Sequence, residues 1–196
     1  MLLVRPAFIP SSSCTDLISA FQHIASTAPP DRNDVRTMQR RTEIDGYALR
    51  TLGLTEPDTV LVDIRQRALT AVLDYYNVAD PGYVEFTLLT EMRRGDSHAL
   101  HADSEKQDHD GNWIQNHTAW RSYTAMVYLN TSGVDYAGGV LQFPELGQDI
   151  VPQAGLLVGF PCGHLYQHAV TPIQAGTRYA LSIWMTDDAA FAERWD

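Results

Sequence analysis

The chain is short of basic charge, of cysteine and of long apolar runs, and each shortage removes a class of function. Fourteen Lys and Arg against twenty-four Asp and Glu give a formal charge of -10 and a pI near 5.0. Such a surface lacks the cationic field that non-specific contact with nucleic-acid phosphates requires, so no nucleic-acid partner is expected. No apolar stretch is long enough to span a bilayer. The one segment that starts like an export signal, Met1 to Ile9, is interrupted by Arg5 and Pro6 before an apolar run builds. Only two cysteines, Cys14 and Cys162, are present and they stand far apart, which argues against a disulfide framework and for a reducing, cytoplasmic setting. Sequons beginning at Asn116 and Asn130 would matter only in a secreted protein.

What is present suits one domain. With 196 residues and 44% hydrophobic content the chain can bury one sizeable core. Residues 1–80 read as helical support and 81–186 as a β-rich core. Ser11 to Ser13 followed by Leu17, Ile18, Phe21 and Ile24 predicts a capped amphipathic helix, closed by Pro29-Pro30. A second helix is predicted from about Pro57 to Tyr76, with Val60, Leu61, Ile64, Ala68, Val72 and Tyr75 on one stripe and Arg65 and Arg67 off it. Between them, Asp31 to Gly53 is polar and weakly patterned, which fits a segment beside a cleft or a plain surface excursion. Its Arg32, Arg36, Arg40 and Arg41 oppose an acidic stretch from Asp103 to Asp110, leaving a local anion patch and simple solvated charge as competing readings.

From Tyr83 onward the texture is β. Short runs rich in β-branched and aromatic residues cover Tyr83 to Met92, Tyr123 to Asn130, Val140 to Phe143, Leu156 to Phe160, Gln167 to Thr171 and Arg178 to Met185. Gly138-Gly139, Gly155, Gly163 and Gly176 fall between them, where turns need positive φ or close backbone approach. The expected fold is mostly β with N-terminal helices, a double-stranded β-helix (jelly roll, cupin-like) whose mouth can hold a ligand. Asp187 to Asp196 is expected to add a short terminal helix.

The chemistry begins at His101-Ala102-Asp103, where extended backbone sends an imidazole and a carboxylate to the same side. His168, on a later β run, supplies a third donor, and two histidines with one carboxylate form a facial set that leaves metal positions open. Arg178 opens a strand in which alternation groups it with Ser182 and Trp184, while Thr124, Met126 and Tyr128 share one face of another run. A guanidinium pointing into a barrel needs an anion, which a dicarboxylate ligand supplies with bidentate geometry. A structural arginine paired with a surface acid is the competing reading.

In order, the motifs His101-x-Asp103, Arg121 to Asn130 (RSYTAMVYLN), Gly138-Gly139 before Phe143, then His168, Pro172, Gly176, Arg178 and Trp184 resemble the prolyl-hydroxylase branch of the 2-oxoglutarate and iron(II) dependent oxygenases. The likeness covers about Thr90 to Asp188. It is greatest to the catalytic domain of the collagen prolyl 3-hydroxylases, through Asp96-Ser97-His98, Arg121, Tyr123 and Val158-Gly159-Phe160. The resemblance implies His101, Asp103 and His168 as iron ligands and Arg178 with Tyr128, near Ser182, as the clamp on the distal carboxylate of 2-oxoglutarate. It also implies Arg121 as a substrate-facing position. The implied cofactors are Fe(II), 2-oxoglutarate and O2, with ascorbate as an optional reductant. Relatives carry a tyrosine ahead of the first metal histidine where this chain has Glu91 and Met92. Because a carboxylate stands at Asp103, the resemblance implies hydroxylation rather than halogenation. The substrate expected is proline or another amino acid, as a small molecule or within a peptide or protein.

Other histidines have their own expectations. His164 is the runner-up ligand, assigned to a turn; His98 is a candidate for the pocket wall; His23 is read as a helix-face residue. His109 and His117 flank a polar loop around Trp113 that could close over substrate. Cys162 is read as an oxidisable thiol without an adjacent base, and Trp113 and Trp120 as pocket or core surface. Two rival functions share the fold: a cupin-like metalloenzyme that does not use 2-oxoglutarate, and a non-catalytic jelly-roll binding module.

Overall fold

The computed structural model describes residues 1–27 and 42–194. In chain order it has strand β1 (Leu3–Arg5), helix α1 (Ser11–Thr27), β2 (Thr42–Asp45), helices α2 (Tyr47–Thr51) and α3 (Thr55–Tyr76), then β3 (Tyr83–Arg93), β4 (His98–His101), β5 (Glu105–Gln107) and β6 (Trp113–Gln115). There follow β7 (Tyr123–Tyr128), β8 (Tyr136–Gly138), β9 (Leu141–Phe143), β10 (Gln148–Ile150), β11 (Leu157–Pro161), β12 (His168–Val170) and β13 (Ile173–Thr186). The larger sheet runs β1-β11-β7-β13-β3-β2, with β8 added to β13; the smaller runs β10-β9-β12-β4; β5 and β6 form a hairpin. Every strand pair between these elements is antiparallel, as expected of a jelly roll.

Side-chain alternation divides the interior in two. Tyr179, Leu181, Ile183 and Met185 of β13, with Ala125 and Val127 of β7, pack on Leu17, Phe21 and Ile24 of α1 and Leu61, Ile64 and Val72 of α3. The intervening residues Ala180, Met126 and Tyr128 turn to the opposite face, where Phe143, Val158 and Phe160 form a second core. A period of two thus assigns one face of the large sheet to the helices and the other to the space between the sheets. That second space holds the site.

Several sequence expectations are corrected. Arg65, expected off the stripe of α3, is 4% exposed and pairs with Glu193 of the C-terminal segment; a long cationic side chain can enter a core when a carboxylate meets it there. Of the stretch Asp31 to Gly53, read as a segment beside a cleft or a surface excursion, the described part forms β2, whose Thr42 to Asp45 pair with Glu91 to Leu88, and the five-residue α2. Arg32, Arg36, Arg40, Arg41 and Pro29-Pro30 lie outside the described residues. Gly176 lies inside β13 rather than in a turn, with φ +72 beside a register shift. The terminal helix is a single 3-10 turn, Ala189–Phe191. Asn116 and Asn130 are structural amides: Asn116 Nδ2 donates to the Asp103 carbonyl, and Asn130 bonds the backbone of Thr177 and Tyr179. No described helix is long and apolar enough to cross a membrane.

Candidate active site

His101 ends β4 and His168 begins β12, and the register sets them opposite one another, with ring centroids 4.3 Å apart. Asp103 follows just beyond β4, its Oδ1 3.4 Å from His101 Nε2. One ligand atom from each of the three residues lies within 4.8 Å of the others, a cluster that small side-chain rotations would close onto one divalent ion. Both imidazoles are oriented from behind. His101 Nδ1 sits 2.9 Å from the Ala99 carbonyl and His168 Nδ1 3.1 Å from that of Tyr166. A carbonyl can only accept, so Nδ1 carries the proton and Nε2 has the lone pair to offer a metal.

Asp103 is buried. Burial alone would raise its pKa, but the charge of His168, the hydrogen bond and charge of His101 and the Thr124 hydroxyl outweigh it, holding the carboxyl well below the usual range. It is therefore an anion at neutral pH. This donor set of two imidazoles and one carboxylate fits ferrous iron.

Across the pocket Arg178 projects from β13 with 1% exposure. Its Nη1 lies 3.2 Å from the Met92 sulfur, Nε and Nη2 meet no acceptor in good hydrogen-bond geometry, and the hydroxyls of Tyr128 and Tyr136 are near enough to act on it. Among the described residues no carboxylate pairs with it. The Tyr128 ring centroid lies 5.1 Å from the guanidinium carbon, and its buried hydroxyl is also without a partner. A buried cation with idle donors is expensive, so this end of the pocket is built for an anion. Ser182, whose hydroxyl lies 3.3 Å from Met126 Sδ, and Trp184 complete the wall beside it.

The pocket thus gathers His101, Asp103, His168, Arg178 and Ser182, with Tyr128 behind Arg178. Arg121 is not in its lining. Its Nε donates to Glu85 at 2.9 Å and its guanidinium lies 4.1 Å over the Trp184 ring, so it reaches the site through Trp184. His98 does line the pocket, 4.0 Å from the His101 ring. Glu91 faces the helix side, where it accepts from Tyr179 and pairs with Arg93; Thr90 and Met92 are the β3 residues in the pocket.

The remaining candidates lie elsewhere. His164, in a 3-10 turn, pairs with Glu105 at 2.7 Å and stacks on Trp113. The loop around Trp113 is the β5–β6 hairpin, docked by those two contacts. His109 is exposed at its tip, and Trp120 stacks on Phe191. Cys162 is buried against the Thr124 hydroxyl at 3.2 Å; burial, then the Asp103 charge, push its thiol far up, which leaves it unreactive. Cys14 and Cys162 are both unpaired thiols. Sequence reading missed the Thr124 hydroxyl that bonds Asp103 and the buried Tyr136 packed beside Arg178. Alternation had already grouped Thr124 with Met126 and Tyr128, whereas Tyr136 lies on a three-residue strand too short to signal itself.

Comparison with known proteins agrees with this geometry. Residues 87–186 match the family model described as 2OG-Fe(II) oxygenase superfamily. Prolyl 3-hydroxylase 2 of Gallus gallus is 30% identical over 148 residues, 67% of this chain and 21% of the relative; the chain thus spans about a fifth of the length of the curated relatives it matches. Among solved structures, a Pseudomonas putida prolyl-4-hydroxylase superposes with a TM-score of 0.68 at 20% identity, covering 94% of this chain and 91% of that one. The 2-oxoglutarate complex of a viral collagen prolyl hydroxylase from Paramecium bursaria Chlorella virus-1 gives 0.65 at 20% identity, covering 94% of each. At that identity the structures speak to the jelly-roll fold. On the family match and the residues that carry it, the chain belongs to the 2OG-Fe(II) oxygenase superfamily.

Proposed function

We propose that this chain is a 2-oxoglutarate- and iron(II)-dependent dioxygenase that hydroxylates an unactivated C–H bond, in proline or another amino acid, free or within a peptide or protein. The observation that carries the reading is one pocket holding both a facial metal triad and a buried arginine without an anion. His101, Asp103 and His168 would hold the metal. Arg178 and Tyr128 would bind the far carboxylate of the keto acid. When bound, the iron would activate O2, the oxidant, with 2-oxoglutarate giving two electrons as it is decarboxylated to succinate and carbon dioxide, so that one oxygen atom of O2 would enter succinate and the other the substrate C–H bond.

The chain's own part is positional. The carbonyls of Ala99 and Tyr166 fix the imidazole tautomers, Trp184 and Met126 keep water from the pocket wall, and the sheets hold both ends of the co-substrate at a set separation. The unpaired Arg178 favours this reading over direct substrate binding at a cupin-like metal. The names of the relatives favour prolyl substrates, and free buried thiols accord with a reducing, cytoplasmic setting.

The test is succinate release from 2-oxoglutarate by iron-loaded protein, alongside mass spectrometry for the gain of one oxygen atom across proline-containing peptides and free amino acids. His101→Ala and Asp103→Ala should abolish both signals. Full activity in either variant would refute the triad.

A further inference from the structure

Behind Arg178 lies a second phenol. Tyr136, on β8, is 4% exposed, and its hydroxyl is a buried oxygen without a hydrogen-bond partner, as are the Tyr128 hydroxyl and Arg178 Nε and Nη2. The four idle polar atoms belong to neighbouring groups. Burial raises both phenols, and the charge of Arg178 and its approach to each hydroxyl oxygen oppose that; a guanidinium can only donate, so each phenol keeps its own O–H proton to give. Gly139 explains how they fit together. Its φ is +67, and a Cβ there would come 3.0 Å from both Arg178 Cδ and Tyr136 Cε2 and 2.7 Å from Ile173 Cδ1. Only glycine lets the phenol and the arginine stem pack this closely.

A buried hydroxyl whose proton has no acceptor destabilises the fold, and phenylalanine would fill the same space without that cost. An idle guanidinium edge and two idle phenols have one chemistry in common: each donates a hydrogen bond, and a carboxylate can accept from all of them. We propose that Tyr136 is a positioning residue for the co-substrate, joining Arg178 and Tyr128 in a three-sided clamp that selects keto acids with a second, distal carboxylate. The inference rests on the reading of the pocket as a 2-oxoglutarate site and adds to it the donor that sets dicarboxylate selectivity. No proton is transferred in this role; the phenol only donates a hydrogen bond.

The experiment is calorimetric titration of the Mn(II)-loaded protein, which binds without turnover, with 2-oxoglutarate and with 2-oxopentanoate, in which a methyl replaces the distal carboxylate. Tyr136→Phe is expected to weaken 2-oxoglutarate roughly ten-fold or more, the loss appropriate to one hydrogen bond to a charged group. It should leave 2-oxopentanoate and Mn(II) affinity unchanged. Thermal unfolding of the variant separates this from misfolding, since removing an unpaired hydroxyl should not lower Tm. Unchanged 2-oxoglutarate affinity in Tyr136→Phe, with binding lost in Arg178→Met, would overturn the role of Tyr136 and leave the pocket assignment standing. An equal loss for both keto acids would also overturn it, because the hydroxyl would not then act on the distal carboxylate. If the unmutated, Mn(II)-loaded protein bound no 2-oxoglutarate, the underlying reading would fall and this one with it.

Discussion

Thr124 Oγ1 donates to Asp103 Oδ2 at 2.5 Å, occupying the carboxylate oxygen opposite the one that faces His101. Thr124 is buried near the start of β7, paired with Phe160 on one side and Trp184 on the other, so its hydroxyl is held by the sheet and fixes the rotation of the carboxylate. Thr124→Val keeps shape and β propensity but removes the donor. Its expected effect is a loss of about ten-fold to a hundred-fold in metal affinity, as for other groups that orient a ligand from behind. Thr124→Ser should recover most of it. Competitive Mn(II) titration against a chelator would read this out, and equal affinities across the three proteins would show the hydrogen bond to be incidental.

A second prediction concerns the β5–β6 hairpin beside the site. Glu105 accepts from the backbone N–H of His164 and pairs with its ring. Burial opposes the charge on Glu105, but the backbone N–H of His164, then its side chain and charge, hold the carboxyl below its ordinary value of 4.5. A carboxyl with a depressed folded value contributes its stabilisation above the unfolded value and loses it as pH falls through the folded one. Protection of the His164 amide from hydrogen exchange should therefore drop on acidification below 4.5. In Glu105→Gln the protection should be low throughout, with no such step.

How much of this was legible beforehand depends on what each feature rests on. The triad and Arg178 were readable because the order of the motifs resembles that of a known family and strand alternation sends His101 with Asp103, and Arg178 with Ser182, to shared faces, while the run from Tyr123 to Asn130 carried enough β-type residues to reveal which of its side chains share a face. Arg65 was misplaced because helical periodicity treats charge as outward, while its partner Glu193 is 128 positions away and no local pattern links them. The segment before α3 gave no pattern because β2 has only four residues and exists by pairing with β3, a non-local stabilisation. Arg121 could not be placed from its motif alone, since its position follows from Glu85 on another strand.

The Arg65–Glu193 pair joins α3 to the C-terminal segment, with both side chains nearly buried. Burial lowers the Arg65 pKa to about 10, against the charge of Glu193, which supports the guanidinium. Removing the carboxylate alone leaves a buried cation less well compensated, so Glu193→Ala should cost about 3 kcal/mol in urea unfolding. Replacing both partners, as Arg65→Met with Glu193→Leu, should cost markedly less, because the desolvation of the ions disappears along with their attraction. A double variant as unstable as Glu193→Ala would mean that packing rather than charge dominates there.

Metal binding itself should stabilise the fold, because the triad draws on two different regions of the chain: His101 and Asp103 at the end of β4, and His168 on β12. In the unfolded chain these donors are separated by most of the β region and have little affinity for the ion, so binding favours the folded state by mass action. At a metal concentration about a hundred times Kd the gain is about 2.7 kcal/mol, readily visible as a rise in Tm with Mn(II) that excess EDTA reverses. His168→Ala should unfold near the metal-free temperature and show no rise. A Tm that increased equally in His168→Ala would place the responsible ion elsewhere, and the exposed cluster Asp108, His109 and Asp110 could be tested as that source by Asp108→Asn, which should leave the rise intact if the triad is the site.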